Sequence, residues 1–393
     1  MIQGKICLIN SLNKDMLDCI IVGAGPGGVT TAYHLAKKGH SVLVLDKASL
    51  PRSKPCGGGV SPAIAKWFDF DFTPVIDNSI TQVQYTWKMG DPVQAPLKNV
   101  QPMWMVERSA FDSFLVEQAV KQGAIVKPNT EVTSIQAQSN GWQVNTKTDT
   151  FAASYLIGAD GVNGPVAQWL GLGDHQYTLG ATLEVPTSKP PEYLNRAYFE
   201  FGLLKNGYIW NFPKSKGYTI SGGILRGNKA NSAELKQQIY NYATEFGLDT
   251  SKSSYCEYPL ALWRENRTLH TQRALIVGEA AAILDPLTAE GIRPSIWTGI
   301  KAANAVSQSL QGDTNALAQY TEIVKQEWGA DMVLAQRLAG IFYQFPKIAY
   351  KVGVKRPAAA QIMGKILCGE LKYGDITEQA VSRLKKSLIP GMK

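Results

Sequence analysis

LDCIIVGAGPGGVTTAYHLAKKGHSVLVLD, residues 17–46, carries the strongest structural pattern in the chain. It predicts a buried strand, a glycine turn, a helix and a second strand that ends in Asp46. Gly23, Gly25 and Gly28 have the spacing G-x-G-x-x-G, in which glycines permit a tight turn, the approach of a pyrophosphate and close packing of helix on strand. The pyrophosphate is expected at the helix N-terminus, and Asp46 is placed to accept a hydrogen bond from a ribose hydroxyl. The pattern therefore predicts a dinucleotide-binding domain, and it leaves open whether the dinucleotide is FAD or NAD(P).

The composition is typical of an enzyme, with 393 residues, 45% hydrophobic and 18% charged, enough for two or three domains. Five scattered cysteines without a C-x-x-C motif argue against a disulfide framework or zinc site and favour a reducing, cytoplasmic compartment. No apolar run of ~18 residues or secretory signal is present, and residues 1–15 are expected to be a disordered leader or an upstream start of no structural consequence. The histidines lack the spacing of metal ligands, so no metal site is predicted; they are His34, His40, His175 and His270.

The positive charge of the chain is concentrated near its C-terminus. The net charge is +8, and residues 331–393 hold eleven Lys and Arg against four Asp and Glu. This basic region is either a solvated helical surface or a face for an anionic membrane or a diphosphate-bearing substrate. No basic-aromatic repeat accompanies the charge, so nucleic acid is not an expected partner.

The order of the predicted elements indicates a discontinuous Rossmann-like α/β domain with an inserted antiparallel β domain and C-terminal helices, a two-domain α+β arrangement. Strands from residues 17–46, 124–158 and 273–278 form the first domain, and strands near 197–203, 208–212 and 218–225 form a meander in the second. Helices are predicted from an N-cap at Ser109 and over 316–342. The predicted ranges are 16–80, 104–174 and 270–330 for the dinucleotide domain, 81–103 and 175–269 for the substrate domain, and 331–393 for the basic helical region.

Three motifs together resemble the FAD-dependent monooxygenase and reductase superfamily with the hydroxybenzoate-hydroxylase-type fold. They are Gly23–Gly28, the segment GADG at 158–161, and the segment GEAA at 278–281 followed by Pro286 and AEGI at 289–292. This resemblance implies FAD as the cofactor. The third motif departs from the family pattern, because Glu279 stands where an aspartate is usual.

Two further motifs resemble the geranylgeranyl reductase family, namely KPCGGG at 54–59 and YIWNFP at 208–213. In the family, a G-x-G pattern follows the second motif. Here Ile224 replaces the final glycine of that pattern. The resemblance implies reduction of isoprenoid double bonds by reduced FAD, with electrons from NADPH or another electron donor.

The resemblance and the motifs imply a set of cofactor-binding residues. Glu279 would accept hydrogen bonds from ribityl hydroxyls, and the helix beginning near Gly291 would stabilise the negative charge of reduced flavin. Asp160 is expected to brace loops, and Arg108 to reach the ribityl or pyrophosphate region, with a surface ion pair as its alternative. The predicted cofactor-binding residues are Gly23, Gly25, Pro26, Gly27, Gly28, Asp46, Lys47, Gly57, Gly58, Arg108, Val132, Asp160, Glu279, Pro286, Gly291 and Ile292.

Substrate and catalytic residues follow from the two narrower motifs. Tyr208, Trp210 and Phe212 alternate along a strand and share one face, which is either a wall for a long apolar substrate or ordinary core packing. Cys56, flanked by basic residues and three glycines, is either a buried apolar side chain or the proton donor that completes alkene reduction.

Two other classes of protein remain alternatives at this point. An FAD-dependent aromatic or terpenoid monooxygenase, with a halogenase as a weaker variant, would contain the same three flavin motifs. A non-catalytic prenyl-lipid binding protein on this fold would tolerate the departures at Glu279 and Ile224, but it would have no need of the intact glycine turn and Asp46.

Overall fold

A computed structural model describes residues 16–97, 101–173, 176–227 and 231–376. The expected leader at 1–15, His175 and the last part of the basic region at 377–393 lie outside the described residues. The strands are β1 (Leu17–Val22), β2 (Val42–Leu45), β3 (Gly59–Val60), β4 (Asn78–Ile80), β5 (Gln82–Trp87), β6 (Gly90–Pro96), β7 (Met103–Met105), β8 (Ile125–Lys127), β9 (Val132–Gln138), β10 (Gly141–Thr146), β11 (Thr150–Gly158), β12 (Thr178–Pro186), β13 (Arg196–Phe201), β14 (Gly207–Lys214), β15 (Gly217–Ile224), β16 (Ser254–Leu260), β17 (His270–Thr271) and β18 (Ala274–Ile276). The helices are α1 (Pro26–Lys37), α2 (Arg108–Lys121), α3 (Val166–Trp169), α4 (Ser232–Glu245), α5 (Ile292–Leu310), α6 (Ala316–Ile323), α7 (Ala330–Gln344), α8 (Pro346–Ala349) and α9 (Pro357–Leu367).

The first sheet has eight strands, with β18, β11, β1, β2 and β8 side by side and parallel. Val22 of β1 lies in register with Gly158 of β11, and Gly158 with Ile276 of β18. The three flavin motifs follow directly after these strand ends, so the register brings all three to one edge of the sheet. Ligands bind at the carboxyl ends of strands in such sheets, and the predicted discontinuous assembly of the domain is confirmed at the level of its strands.

The second sheet has seven strands in the order β16-β12-β15-β14-β13-β5-β6. Strands β13, β14 and β15 form the predicted antiparallel meander. Strand β5 joins this sheet parallel to β13, and β3, β7 and β4 form a small third sheet. The domain ranges given above stay predictions.

Helices α1 and α5 pack closely because two glycines face each other across them. A Cβ at Gly299 would lie 2.5 Å from the carbonyl oxygen of Gly27, so only glycine permits this approach. The Thr31 hydroxyl donates to the Gly27 carbonyl at 2.9 Å and lies 3.1 Å from that of Gly299. This contact joins the first turn of α1 to the middle of α5.

Two details of the predicted helices were wrong. Ser109 is not an N-cap, because Arg108 is already helical and the cap position is Glu107. The stretch 316–342 is not one α-helix; α6 and α7 are joined by a π-helical turn over Val324–Gly329, and α7 continues to Gln344 before Pro346 begins a new helix. Among the described residues, no helix has both the length and the apolar character that crossing a bilayer requires.

Candidate active site

A cavity of about 370 Å³ lies between the parallel sheet and the aromatic face of the second sheet. It joins residues that are far apart in the sequence and that belong to four separate motifs. Its lining includes Pro26, Cys56, Gly57, Gly58, Arg108, Tyr208, Trp210, Phe212, Glu279, Gly291 and Ile292 from the predicted set. The structure therefore brings cofactor, substrate and catalytic candidates together in one place.

The glycine turn after β1 is shaped by close backbone contacts. Gly23 has a φ of +107°, and a Cβ there would lie 2.3 Å from the carbonyl oxygen of Ala159 in the second motif. Gly25 is the N-cap of α1, and no side chain of the described residues caps the helix there. A Cβ on Gly25 would meet only the Arg52 guanidinium, at 3.5 Å. The turn thus leaves the positive end of α1 open beside a cation, as a pyrophosphate requires.

Asp46 and Arg52 lie beside this turn. The Asp46 carboxylate is buried and accepts hydrogen bonds from the backbone N–H of Ala24, at 2.7 Å, and of Ala48, at 2.8 Å. Arg52 Nε lies 3.8 Å from Asp46 Oδ2, too far for a hydrogen bond, and has no hydrogen-bond partner among the described residues. A buried donor without a partner at a helix N-terminus suits an anionic group, so these residues are compatible with a bound dinucleotide.

The N-terminus of α5 opens on the same cavity. Gly291 is its N-cap, and within the described chain no side chain caps it. The preceding loop is held by buried Asp285, which accepts hydrogen bonds from the backbone N–H of Leu287 and Thr288 and from the Tyr373 hydroxyl. Burial raises the pKa of Asp285, although these hydrogen bonds oppose the shift. The loop therefore presents the dipole of a 19-residue helix to the cavity.

Glu279 and Asp160 occupy different positions at the strand ends. Glu279 lines the cavity and pairs with Lys54 at 2.7 Å.

Asp160 accepts a hydrogen bond from the backbone N–H of Val166 at 2.9 Å and so caps the short helix α3. Burial raises the pKa of Asp160 from 3.8 to about 6, and hydrogen bonding opposes that shift. The contacts of Asp160 are consistent with a residue that braces a loop.

Arg108 forms a buried ion pair, so the alternative of a surface pair is wrong. Its Nε and one terminal nitrogen donate to the two carboxylate oxygens of Asp112 at 2.9 and 2.8 Å, and Arg108 is only 6% exposed. Burial lowers the pKa of the guanidinium. Asp112, and to a smaller extent Cys56, raise that pKa by more than burial lowers it, so the net shift is upward. A permanent positive charge therefore lies next to the Cys56 thiol.

The glycine triplet packs against the aromatic strand. A Cβ at Gly57 would lie 2.8 Å from Trp210 Nε1 and 3.0 Å from the Phe212 ring, and Gly58 has a φ of +78°. The absence of a side chain at Gly57 thus lets the loop approach these two rings. The three aromatics of β14 line the cavity and also pack in the core against Phe199, so the two interpretations of this face are compatible.

Other predicted residues lie away from this cavity. Lys47 is exposed, Val132 is buried at the start of β9, and Pro286 lines a separate cavity of about 200 Å³. Asp46, Asp160 and the glycines at 23, 25, 27 and 28 form or adjoin the turn below the cavity without lining it. Their roles toward a cofactor stay predictions.

Sequence reasoning missed Tyr258 and Arg52. Tyr258 of β16 lines the cavity, and its hydroxyl lies 3.3 Å from the Thr182 hydroxyl. Burial raises the pKa of Tyr258 far above its ordinary value, and Cys56 and Glu279 add to the shift. No sequence motif marks Tyr258, whereas the basic loop after β2 was a signal for Arg52. Across the described ranges, no group of His, Cys, Asp or Glu is arranged to hold a metal ion.

Comparisons with known proteins bear on this site. A family model described as an FAD binding domain matches residues 16–196. An uncharacterised protein of Methanosarcina barkeri is 30% identical over 295 residues, which cover 75% of each chain. Digeranylgeranylglycerophospholipid reductase 3 of Methanosphaera stadtmanae is 24% identical over 348 residues, covering 81% of this chain and 85% of that one.

A solved structure has a fold similar to that of this chain. A geranylgeranyl bacteriochlorophyll reductase-like protein from Thermoplasma acidophilum superimposes with a TM-score of 0.74 at 20% identity, over 84% of this chain and 88% of that one. The superfamily motifs meet at the strand ends where such proteins place a dinucleotide. With FAD as its cofactor, the chain belongs to the geranylgeranyl reductase family of FAD-dependent oxidoreductases.

Proposed function

We propose that this enzyme reduces carbon–carbon double bonds in a geranylgeranyl-type isoprenoid chain. The observation that carries the proposal is the wall formed by Tyr208, Trp210 and Phe212, which lines one cavity together with the α5 N-terminus and the Cys56 loop. An apolar wall opposite polar cofactor-binding groups suits a long hydrocarbon chain. The names of the reductases that resemble this chain favour the same substrate class.

The cofactor would be held by groups at the carboxyl ends of the parallel strands and in the loop after β2. The open N-terminus of α1 and the Arg52 guanidinium would bind the pyrophosphate, and Asp46 a ribose hydroxyl. Glu279 would accept hydrogen bonds from the ribityl chain. The N-terminus of α5 would stabilise negative charge on the reduced ring.

Reduction of an alkene needs a hydride at one carbon and a proton at the other. Bound FAD, once reduced, would supply the hydride. The Cys56 thiol would donate the proton, and the buried positive charge of Arg108 would stabilise the thiolate that remains until solvent reprotonates it. The aromatic wall would orient the chain and exclude water from the reacting bond.

The electron donor would be NADPH or another electron carrier. The protein would act in the cytoplasm, with peripheral contact to an anionic lipid surface through its basic C-terminal region.

An anaerobic titration tests the proposed reaction. The visible flavin spectrum is recorded, NADPH is added, and then either a geranylgeranyl compound or its fully saturated analogue. We expect the flavin bands to bleach with NADPH or, if NADPH is not the donor, with dithionite, and to return with the alkene but not with the saturated control. Bands that return only with oxygen would favour a monooxygenase, and a protein that binds no FAD would be a lipid-binding protein.

A further inference from the structure

Helices α7 and α8, together with the residue that joins them, carry a row of large apolar side chains that are exposed. Four of the large hydrophobic side chains that are exposed in the described chain lie here, at spacings of three, four and three residues. They are Leu338 at 42%, Ile341 at 62%, Phe345 at 53% and Ile348 at 61% exposed. The other exposed large hydrophobic residues are scattered elsewhere, so this row is a distinct surface, which we call the apolar ridge.

The charged residues of the segment that carries the apolar ridge are of one sign. Residues 332–369 contain six Lys and Arg and no Asp or Glu. Arg337, Lys347 and Lys351 are exposed, and no carboxylate of the described residues pairs with them. Lys355, by contrast, pairs with Asp91. The ridge is therefore flanked by cations that are available to an anionic partner.

The opposite face of the same segment is fixed to the cavity wall. The Phe342 ring lies 5.2 Å from that of Phe201, which lies 5.2 Å from the Tyr208 ring in the cavity. The Tyr350 hydroxyl donates to the carbonyl oxygen of Asp91 at 2.7 Å, and Leu367 of α9 lines the cavity itself. The segment cannot turn its apolar row inward without losing these contacts.

We propose that the apolar ridge inserts into the interfacial region of an anionic lipid bilayer. An apolar row flanked by lysine and arginine on a surface helix is the pattern of interfacial membrane binding. A second copy of this chain is a poorer occupant, because a symmetric contact would bring six unpaired cations together. The inference extends the proposed function. Insertion of the ridge would hold the cavity one helix layer away from the lipid that contains an isoprenoid substrate.

Vesicle sedimentation with the full-length, FAD-loaded protein tests the surface. The vesicles are phosphatidylcholine alone or equal parts phosphatidylcholine and phosphatidylglycerol, without isoprenoid. The ridge variant is Ile341→Asn with Phe345→Ser, matched by Tyr177→Ser at another exposed aromatic. The charge variant is Lys347→Glu with Lys351→Glu, matched by Lys252→Glu at another exposed lysine.

We expect wild type to bind the anionic vesicles preferentially, the charge variant to lose about fivefold in affinity or more for each lysine, and the ridge variant to lose binding at all salt concentrations. Wild-type protein that fails to bind at low salt, or variants that bind like their controls, would overturn the proposal. A wild-type dimer in sedimentation velocity that is absent in the ridge variant would also overturn it.

Unchanged flavin spectra and melting temperatures show that the variants are folded. Because no turnover is measured, failure here leaves the proposed reaction untouched, and a failed alkene reduction leaves vesicle binding unaffected.

Discussion

Lys54 and Glu279 form a 2.7 Å ion pair although 225 residues separate them in the chain. The pair ties the glycine-rich loop after β2 to the turn after β18. It also gives a reason for the departure from the family pattern at Glu279, because the longer side chain of glutamate extends the carboxylate toward Lys54.

Lys54→Met is expected to weaken FAD binding by about two- to fivefold, since the pair is partly exposed and contributes roughly 0.5–1 kcal/mol to the position of the loop. Fluorescence titration of the apoprotein with FAD measures the change. Lys252→Met, at an exposed lysine, is the control and should match wild type. An equal FAD affinity in all three proteins would contradict this role for the pair.

Arg108→Met should destabilise the protein by about 3 kcal/mol, because it leaves the buried Asp112 carboxylate without its bidentate partner. The double variant Arg108→Met with Asp112→Leu should recover most of that stability in urea unfolding of the apoprotein. If Arg108 also contacts the cofactor, the double variant will still bind FAD more weakly than wild type. Full recovery of both quantities would exclude a contact between Arg108 and the cofactor.

Asp160 predicts a dependence of stability on pH. Burial raises its pKa from 3.8 to about 6, so the folded protein binds this proton more tightly than the unfolded chain does. The contribution of protonated Asp160 to the free energy of unfolding is complete below about pH 4 and is lost as the pH rises through about 6. The stability of wild type relative to Asp160→Asn should therefore fall by at most about 3 kcal/mol between about pH 4 and pH 7. A difference that stays flat across this pH range would refute the assignment.

Gly57→Ala tests how tightly the loop packs against the aromatic wall. The added methyl group would lie 2.8 Å from Trp210 Nε1, and overpacking of this kind costs about 1–3 kcal/mol. Gly340→Ala is the matched control, because its Cβ would meet nothing within 4 Å in helix α7, and it should stabilise the protein by about 0.5–1 kcal/mol. Thermal unfolding should therefore show a lower melting temperature for Gly57→Ala and a higher one for Gly340→Ala. Equal effects of the two substitutions would mean that the loop moves freely.

Cys56→Ala is expected to slow reoxidation of reduced flavin by the alkene about 10²-fold or more, since the variant lacks the proposed proton donor. Reduction of the flavin by its electron donor should keep its rate. Cys256→Ala, at an exposed cysteine, should leave both steps unchanged in anaerobic stopped-flow measurements. If Cys56→Ala leaves reoxidation fast, Tyr258 is the next candidate for the proton donor.

The sequence by itself determined the dinucleotide domain, because a glycine turn between a buried strand and a helix is specified by local backbone geometry. Hairpin turns and alternation likewise determined the meander and the shared face of Tyr208, Trp210 and Phe212. The three flavin motifs indicated one site, since each follows a strand that belongs to the same parallel sheet.

Only the tertiary structure decided which side chains meet. The partners of Lys54 and Arg108, the contact of Gly57 with Trp210 and the presence of Tyr258 in the cavity depend on strand register and on packing between segments that lie far apart in the chain. The outward direction of the apolar ridge was also decided there, because α7 and α8 have apolar residues on both faces and only packing against Phe201 determines which face is covered. Local patterns specify elements, whereas contacts across the sheets are set by the burial of whole faces against one another.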